Sequence, residues 1–241
     1  MEIENAKTST IYSIYSLSDL RDLSNGSNLL MKSIAFLLVL FLTFNVDAST
    51  MIVKNSSLVI SGILDESDND KFDSFIHDNP KITTIIFDNC MGGIVSIGFK
   101  ISQLILKKQL NTIASHECHS SCAYAFLAGK SRRFDSTRGV HAILLHLGRN
   151  ADPKNDVSPY VNPALMRYIT SLTDNKLTSS IKYLIEKSTL PSQGVVFISN
   201  NGLFFNNEKT VYCDGSQHDD IKKCKLLVDA TATSLGITTS D

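Results

Sequence analysis

The 241-residue chain has 43% hydrophobic and 20% charged residues, which is an ordinary composition for a globular protein. Its formal net charge is −1 at pH 7, and the sequence contains no run rich in lysine and arginine. Nucleic-acid binding usually needs a basic face. Composition and charge therefore exclude a protein that binds nucleic acid by bulk electrostatic attraction.

The first fifty residues do not follow the pattern of the rest of the chain. Residues 1–30 are rich in Ser, Asn and Asp and have no sustained apolar period. Lys32 then precedes the apolar run 34–44, and Val46 and Ala48 stand at the positions that a signal peptidase reads. The run is shorter than the roughly 20 residues of a membrane-spanning helix. The pattern therefore favours a cleavable signal peptide over a membrane anchor or a buried core helix.

We predict a signal peptide over 31–48 and a translation start at Met31, with residues 1–30 either not translated or disordered. The mature chain would begin at Ser49 and form a single domain over 49–241, periplasmic or secreted and without a stable membrane span. All five cysteines lie in this part, where an oxidising compartment favours disulfides. Since five is odd, at least one thiol stays unpaired within a monomer.

The mature part alternates strand and helix patterns. Short β-branched or apolar runs predict strands, and apolar residues at helical spacing predict helices. The predicted strands are 51–64 (one strand or a hairpin), 82–89, 111–115, 139–148, 194–199 and 203–205; the predicted helices are 67–79, 94–108, 120–129, 163–172, 177–188 and 226–236. The polar segment 149–162 is predicted to be a loop. Because strands and helices alternate from 82 to 148, we predict an α/β fold with a mostly parallel core sheet.

One segment, HECHSSCAYAFLAG at 116–129, is dense in polar and sulfur-bearing residues. His116, Cys118, His119 and Cys122 are of the types that bind zinc. Their spacing matches none of the usual metal or haem-attachment patterns, so neither a metal nor a cofactor is predicted.

The cysteine spacing favours two disulfides. Cys118 and Cys122 lie near a loop-to-helix junction, where an i, i+4 pair can just reach the Cα separation of about 4.4–6.8 Å that a disulfide needs. Cys213 and Cys224 flank a polar loop that a second bond would close. Cys90 is then left free. The alternative is that Cys122 is an unpaired, buried helix residue.

The same segment also fits the site of a nucleophile. A serine at the start of a helix that follows a strand lies near backbone N–H groups and the positive end of the helix dipole. Acyl transfer also needs a base, usually His, and two donors for the oxyanion. The sequence offers Gly92 and Gly93 after one strand and His146 at the end of another. The alternative role for Ser120 or Ser121 is that of a helix N-cap.

These residues, in this order, resemble the Clp protease and crotonase-like superfamily. Its serine-peptidase branches carry Ser-Pro-Gly-Gly, then Ala-Ala-Ser at a helix start, then a histidine on a strand. The spacing from Gly92 to Ser121 and from Ser121 to His146 is similar to that of the Clp protease catalytic subunit. The stretch CHSSCAYAFLAGKSRRF is most similar to secreted bacterial members with a Cys-x-Ser-x-Cys motif, followed by Phe-x-x-Ala-Gly and an arginine pair. The resemblance covers roughly residues 52–148.

By position, the resemblance implies that Ser121 is the nucleophile and His146 the general base. It implies an oxyanion hole made by the N–H groups of Gly93 and Cys122, with Gly92 setting the turn. It also implies a spiral of ββα units, assembly into a homo-oligomer, and a peptide or protein substrate that lies extended along the Gly-Gly strand edge.

The sequence departs from the family at three places, one of which is that Cys118 and Cys122 bracket the start of the predicted helix. The stretch NCMGG at 89–93 replaces Ser-Pro-Gly-Gly, and Val195 stands where the family has its third triad member. Asp174 and Glu186 are the candidates for a substitute acid. His141 shares a predicted strand with His146 and competes with it as the base, but the spacing favours His146.

We therefore predict an exported serine hydrolase of peptidase type that needs no cofactor. The alternative is a catalytically inactive binding or scaffold protein with the same fold, which the missing acid and the lost proline favour. Metal binding is a third possible function, and only the His and Cys cluster supports it. Arg132 and Arg133, which follow the predicted helix, are expected to be solvated or ion-paired.

Overall fold

The structure is a computed structural model, which describes residues 48–147, 161–188, 190, 192–202, 206–217 and 220–239. Several predictions from the sequence lie outside these residues. They are the segment 1–30, the signal peptide up to residue 47, the predicted loop 149–162 up to residue 160, and the strand 203–205. Residues 161 and 162, also predicted as loop, instead begin a helix.

The described part contains nine strands, five α-helices and one short 3-10 helix. The strands are β1 (Thr50–Lys54), β2 (Ser57–Leu64), β3 (Thr84–Gly93), β4 (Asn111–His119), β5 (Arg132–Phe134), β6 (Gly139–Leu145), β7 (Gln193–Asn201), β8 (Asn206–Asp214) and β9 (Lys225–Leu226). The helices are α1 (Asp68–Asp78), α2 (Val95–Lys108), α3 (Ser121–Leu127), α4 (Val161–Leu172) and α5 (Ser179–Glu186), and the 3-10 helix is Ile221–Lys223.

All nine strands belong to one sheet in the order β1-β2-β3-β4-β6-β7-β8-β9, with β5 paired to β4. Strands β2, β3, β4 and β6 pair in parallel, as does β5 with β4. Strand β1 and the run from β6 to β9 pair antiparallel. The predicted α/β fold with a parallel core is confirmed. The antiparallel half after β6 was not predicted.

The helices cover the parallel strands because each carries an apolar face. Helix α2 buries Ile97, Ile101 and Ile105, which recur at helical spacing. Helix α3 is buried along its whole length, which fits its small and apolar residues. Both helices share one core cluster with the inward-facing residues of β2, β3, β4 and β6. This packing fixes the start of α3 against the ends of the parallel strands.

The end of the chain corrects one prediction, because no helix forms over 226–236. Strand β9 is followed by turns, in which Asp229 (φ 63°) and Gly236 (φ 72°) take left-handed conformations. The carbonyls of Gly236 and Ile237 accept hydrogen bonds from the Arg132 guanidinium, each at 3.0 Å. At the start of the segment, Leu226 pairs with Val211 of β8 and the Leu227 N–H donates to the Thr210 carbonyl at 2.8 Å, so these residues are bonded to a strand and not to a helical turn.

Arg132 itself corrects the expectation of a solvated or ion-paired side chain. It is buried at 7% exposure, and its guanidinium donates a third bond, at 3.0 Å, to the Gly129 carbonyl. The backbone of Arg132 also exchanges bonds with Thr239. Arg132 therefore fastens the last described turn to the sheet.

Candidate active site

Ser120 occupies the sharp turn between β4 and α3. Its backbone angles are φ 53° and ψ −121°, and its hydroxyl does not cap the helix that follows. A positive φ of this kind costs a non-glycine residue about 1–3 kcal/mol and is found preferentially at functional sites. In the nucleophile elbow of hydrolases, a strained strand-to-helix turn holds the serine hydroxyl out toward the substrate.

Gly92 lies directly against Ser120. A Cβ placed on Gly92 would be 2.7 Å from the Ser120 Cβ, 3.4 Å from its Oγ and 2.9 Å from the His119 carbonyl oxygen. Gly92 also has a φ of 91°. A glycine is thus required here both for space and for conformation. On its other side the Ser120 N–H donates to the Leu144 carbonyl at 3.0 Å, so Ser120 lies between the ends of β3 and β6.

Ser121 has different surroundings. Its side chain is fully buried, and its Cβ would be 2.7 Å from a Cβ placed on Gly98 of α2. Its Oγ has no hydrogen-bond partner. Ser121 therefore packs at the interface between α2 and α3, which closes its hydroxyl off from a substrate. The assignment of Ser121 as nucleophile stays a prediction, and this geometry does not support it.

His146 follows β6 directly and is buried at 6% exposure. Its carbonyl accepts a hydrogen bond from the Tyr124 hydroxyl of α3, which ties the end of β6 to the helix that begins after Ser120. Burial lowers the pKa of the imidazole to about 4; the nearby His119 adds to this effect and the Leu147 backbone opposes it. His146 is therefore neutral at neutral pH and able to accept a proton.

Among the residues that the structure describes, no acid contacts the free nitrogen of His146. Its Nδ1 is buried and has no hydrogen-bond partner. Asp174 is exposed, lies 3.8 Å from the Lys176 ammonium and interacts electrostatically with Arg132. Glu186 is exposed at the end of α5. Neither candidate for a third acid is bonded to His146, so both stay predictions.

The competing histidine, His141, is fully buried and uses both of its ring nitrogens. Its Nδ1 accepts from the His116 N–H at 2.9 Å, and its Nε2 lies 3.0 Å from the Thr137 carbonyl oxygen. His116 in turn pairs with Asp88 at 2.8 Å. His141 therefore has no free nitrogen for proton transfer, and its role is structural.

Gly93 and Cys122, the residues assigned to the oxyanion hole, flank the turn at Ser120. Gly93 is exposed and pairs with Leu64 of β2, whose carbonyl would clash with a Cβ at this position. Cys122 is buried in the first turn of α3. Their roles as hydrogen-bond donors stay predictions.

The disulfide pattern corrects the predicted bond between Cys118 and Cys122. Cys122 is bonded to Cys90, with the Cα atoms 6.0 Å apart, and Cys118 is a buried free thiol. Cys118 lies within β4, which continues as a strand to His119 and so leaves no loop that could turn this thiol toward Cys122. Cys90 is paired in register with Cys118 on the neighbouring strand and lies under the first turn of α3. Burial raises the pKa of the Cys118 thiol well above its ordinary value.

The other disulfide joins Cys213 to Cys224, the pair expected from the sequence, with their Cα atoms 4.7 Å apart. It connects β8 to the end of the 3-10 helix. Within the described ranges, no three His, Cys, Asp or Glu side chains are grouped in a way that could hold a metal ion. No helix of the described part is long and apolar enough to cross a membrane.

Comparison with known proteins finds similarity at the level of structure only. The sequence matches no protein-family model, and no curated protein matches it. A mutant of the 1510-N membrane-bound stomatin-specific protease is similar at 17% identity over 56% of this chain and 72% of that chain, with a TM-score of 0.39. ClpP1 from Listeria monocytogenes is similar at 16% identity over 50% of this chain and 73% of that chain, with a TM-score of 0.40. The ClpP protease catalytic domain from Plasmodium falciparum is similar at 17% identity over 55% and 71%, also with a TM-score of 0.40.

Sequence reasoning considered Ser120 only as a helix cap, whereas the structure places it in the turn against Gly92, buried at 8% exposure. The family spacing from Gly92 and to His146 selected Ser121, and spacing alone does not distinguish the surroundings of two adjacent residues. The Cys-x-Ser-x-Cys motif could have drawn attention to Ser120, because Ser120 is the middle residue of the motif, between Cys118 and Cys122.

Proposed function

We propose that this protein is an exported serine hydrolase of peptidase type, with Ser120 as nucleophile and His146 as general base. The observation that carries the proposal is the left-handed turn at Ser120, which holds this serine against Gly92 at the ends of the parallel strands. Ser121, the alternative nucleophile, is buried against α2.

The chemistry needs only groups that these elements supply. The Ser120 Oγ attacks the carbonyl carbon of a peptide or ester, and neutral His146 takes the hydroxyl proton. The proton then passes to the leaving amine or alcohol, which leaves an acyl group on Ser120. Water, deprotonated by His146, attacks the acyl carbon and releases the acid, so that the serine hydroxyl is restored.

The N–H groups near the turn are the proposed oxyanion donors. The first N–H of α3 after the nucleophile belongs to Ser121, and the N–H of Cys122 follows it. These groups point along the helix axis at its positive end. Gly93 offers a further N–H from the Gly-Gly strand end, along which an extended substrate would lie.

With no acid bonded to His146 in the described part of the chain, the proposed site would be a weak catalyst. An acid on the free nitrogen would stabilise the imidazolium that forms during attack, whereas burial disfavours it here. We therefore propose a Ser-His dyad as the default arrangement. Asp174 or Glu186 would complete a triad only after a rearrangement on substrate binding.

The second candidate function is a catalytically inactive binding or scaffold protein that keeps the cleft. One observation favours it, namely that the buried Nδ1 of His146 has no partner. Reaction with an active-site probe separates the two functions, because a binding protein has no activated serine.

The test is labelling with a fluorophosphonate probe, which reacts with activated serines. The wild-type protein is compared with Ser120→Ala, His146→Ala and, as the matched control, Ser121→Ala. We expect labelling of the wild type and of Ser121→Ala, and its loss in the other two variants. A folded wild type that is not labelled would support the inactive binding protein.

The proposed location is the periplasm or the extracellular medium. Two disulfides support it, because such bonds persist in oxidising compartments. Sequencing of the exported product should give Ser49 as the first residue. Homo-oligomeric assembly stays a prediction, which the measured mass of the purified product would test.

A further inference from the structure

A fully buried carboxylate lies near the beginning of the described chain. Asp68, in the first turn of α1, has no exposed side-chain surface. Its Oδ2 accepts the Asp65 N–H at 2.7 Å, and its Oδ1 accepts a hydrogen bond from the Lys71 ammonium at 3.0 Å. A buried carboxylate is costly unless it is paired and hydrogen-bonded. Lys71 satisfies part of this need from a half-exposed position.

The third partner of this carboxylate is Ser49. The Ser49 hydroxyl donates to the Asp68 Oδ1, and Ser49 is buried at 8% exposure. The residue before it, Ala48, is exposed and makes a single bridge with Ile63. Ser49 is thus buried between exposed Ala48 and exposed Thr50, and Ala48 and Ser49 flank the predicted signal-peptide cleavage.

Cleavage at this bond would change the charge next to Asp68. A signal peptidase adds water across the Ala48–Ser49 peptide bond, which leaves a carboxylate on Ala48 and an α-ammonium on Ser49. Within one serine the backbone nitrogen lies about 3–4 Å from the hydroxyl oxygen. The Ser49 hydroxyl already contacts the carboxylate, so the new ammonium would be within ion-pairing distance of it after a small rotation.

We propose that the α-ammonium of mature Ser49 forms a buried ion pair with Asp68 and so makes the processed N-terminus a structural part of the fold. The proposal rests on the export proposed above and not on the hydrolase chemistry. The pair is linked to the candidate active site through β2, because Asp65 follows Leu64 at the end of β2 and Leu64 pairs with Gly93. The unprocessed chain, whose Ser49 nitrogen is an amide, would lack this pair.

The test uses the exported, processed protein. Sequencing first establishes that the chain starts at Ser49. Reductive methylation with a ¹³C label then allows the titration of its α-amino group to be followed by NMR. We expect this group to hold its proton at least tenfold more tightly than an ordinary α-amine, whose pKa is about 8, because the ammonium is paired with a carboxylate.

Selective acetylation of the α-amine tests the effect on stability without a substitution. We expect the acetylated protein to unfold at a lower urea concentration, and acetylation to have little further effect on Asp68→Asn. The matched control is Asp70→Asn, since Asp70 lies in the same first turn but is exposed. In that variant acetylation should lower stability as in the wild type.

Two results would overturn the proposal, and they differ in what they imply. A first residue other than Ser49 would reject the processing site, and the ion pair with it, but would leave export in place. A start at Ser49 with an α-amine that titrates at its ordinary value, and acetylation without effect, would reject the ion pair alone. Neither result would bear on labelling of Ser120.

Discussion

Ser120 and Ser121 are adjacent in the chain, yet their side chains have different surroundings. Ser120 lies against Gly92 in a left-handed turn, and Ser121 packs against Gly98 with an unpaired hydroxyl. Ser120 adopts a backbone conformation that is unfavourable for serine, at a position between the ends of β3 and β6. Strain held at one residue fits a role in positioning a reactive group.

Relief of this strain gives a stability prediction at Ser120. Glycine adopts φ 53° and ψ −121° readily, whereas alanine does not. We expect Ser120→Gly to be more stable than Ser120→Ala by about 1 kcal/mol, as measured by urea unfolding, and both variants to resist the probe. At Ser121, which is already helical, the order should reverse, because glycine weakens a helix. Equal stability of the two Ser120 variants would contradict a strained turn.

The pKa of His146 sets the pH dependence of the proposed reaction. The base must be neutral to accept the serine proton, and burial lowers the pKa of His146 to about 4. The rate of probe labelling should therefore rise as the pH is raised through about 4, and then stay level through neutral pH. A rise centred near 6.5, the ordinary pKa of histidine, would show that the base is a more exposed imidazole.

The cysteines give a third prediction at this scale. Non-reducing peptide mapping should recover Cys90 linked to Cys122, and Cys118 should react with an alkylating reagent only after unfolding, because it is buried and its pKa is raised. Cys118→Ser should leave the map unchanged. A peptide that links Cys118 to Cys122 would restore the pairing predicted from the sequence.

At the scale of elements, the helices of the parallel half were predictable and the end of the chain was not. Apolar periodicity identified α1 and α2 to within one residue at each end, since one face of each packs on the core. The tail has a similar apolar content, but Leu226 pairs with β8, and the guanidinium of Arg132 binds the carbonyls of the last turn. A contact made by a side chain from a distant strand cannot be predicted from a local sequence pattern.

This anchoring of the tail can be tested at Arg132. Arg132→Ala would leave the buried carbonyls of Gly129, Gly236 and Ile237 without their donor. We expect a loss of about 3 kcal/mol in the free energy of unfolding, measured by urea denaturation. The matched control is Arg133→Ala, because Arg133 is exposed and should change stability by less than about 0.5 kcal/mol. Similar effects of the two substitutions would contradict the anchoring role.

At the scale of the whole molecule, one sheet has two halves with different pairing. The parallel half from β2 to β6 holds the candidate site, and it was predictable because helices alternate with its strands. The antiparallel half from β6 to β9 was not, since helices α4 and α5 between β6 and β7 follow the same alternating pattern although β7 pairs antiparallel to β6. The two halves meet at β6, and His146 follows that strand.

The positions of the candidate residues could be predicted, whereas their roles stay predictions. Gly92 and His146 lie at strand ends as the sequence indicates, and parallel pairing brings these ends to one edge of the sheet. The choice between two adjacent serines depends on a single backbone turn, and spacing does not encode that. The orientation of Ser120 is therefore the central claim about function.

The most direct test of that claim is to locate the fluorophosphonate adduct by mass spectrometry of peptides from the labelled wild-type protein. We predict one modified residue, Ser120, with no modification at Ser121. An adduct on Ser121, or a folded protein that carries no adduct, would contradict it.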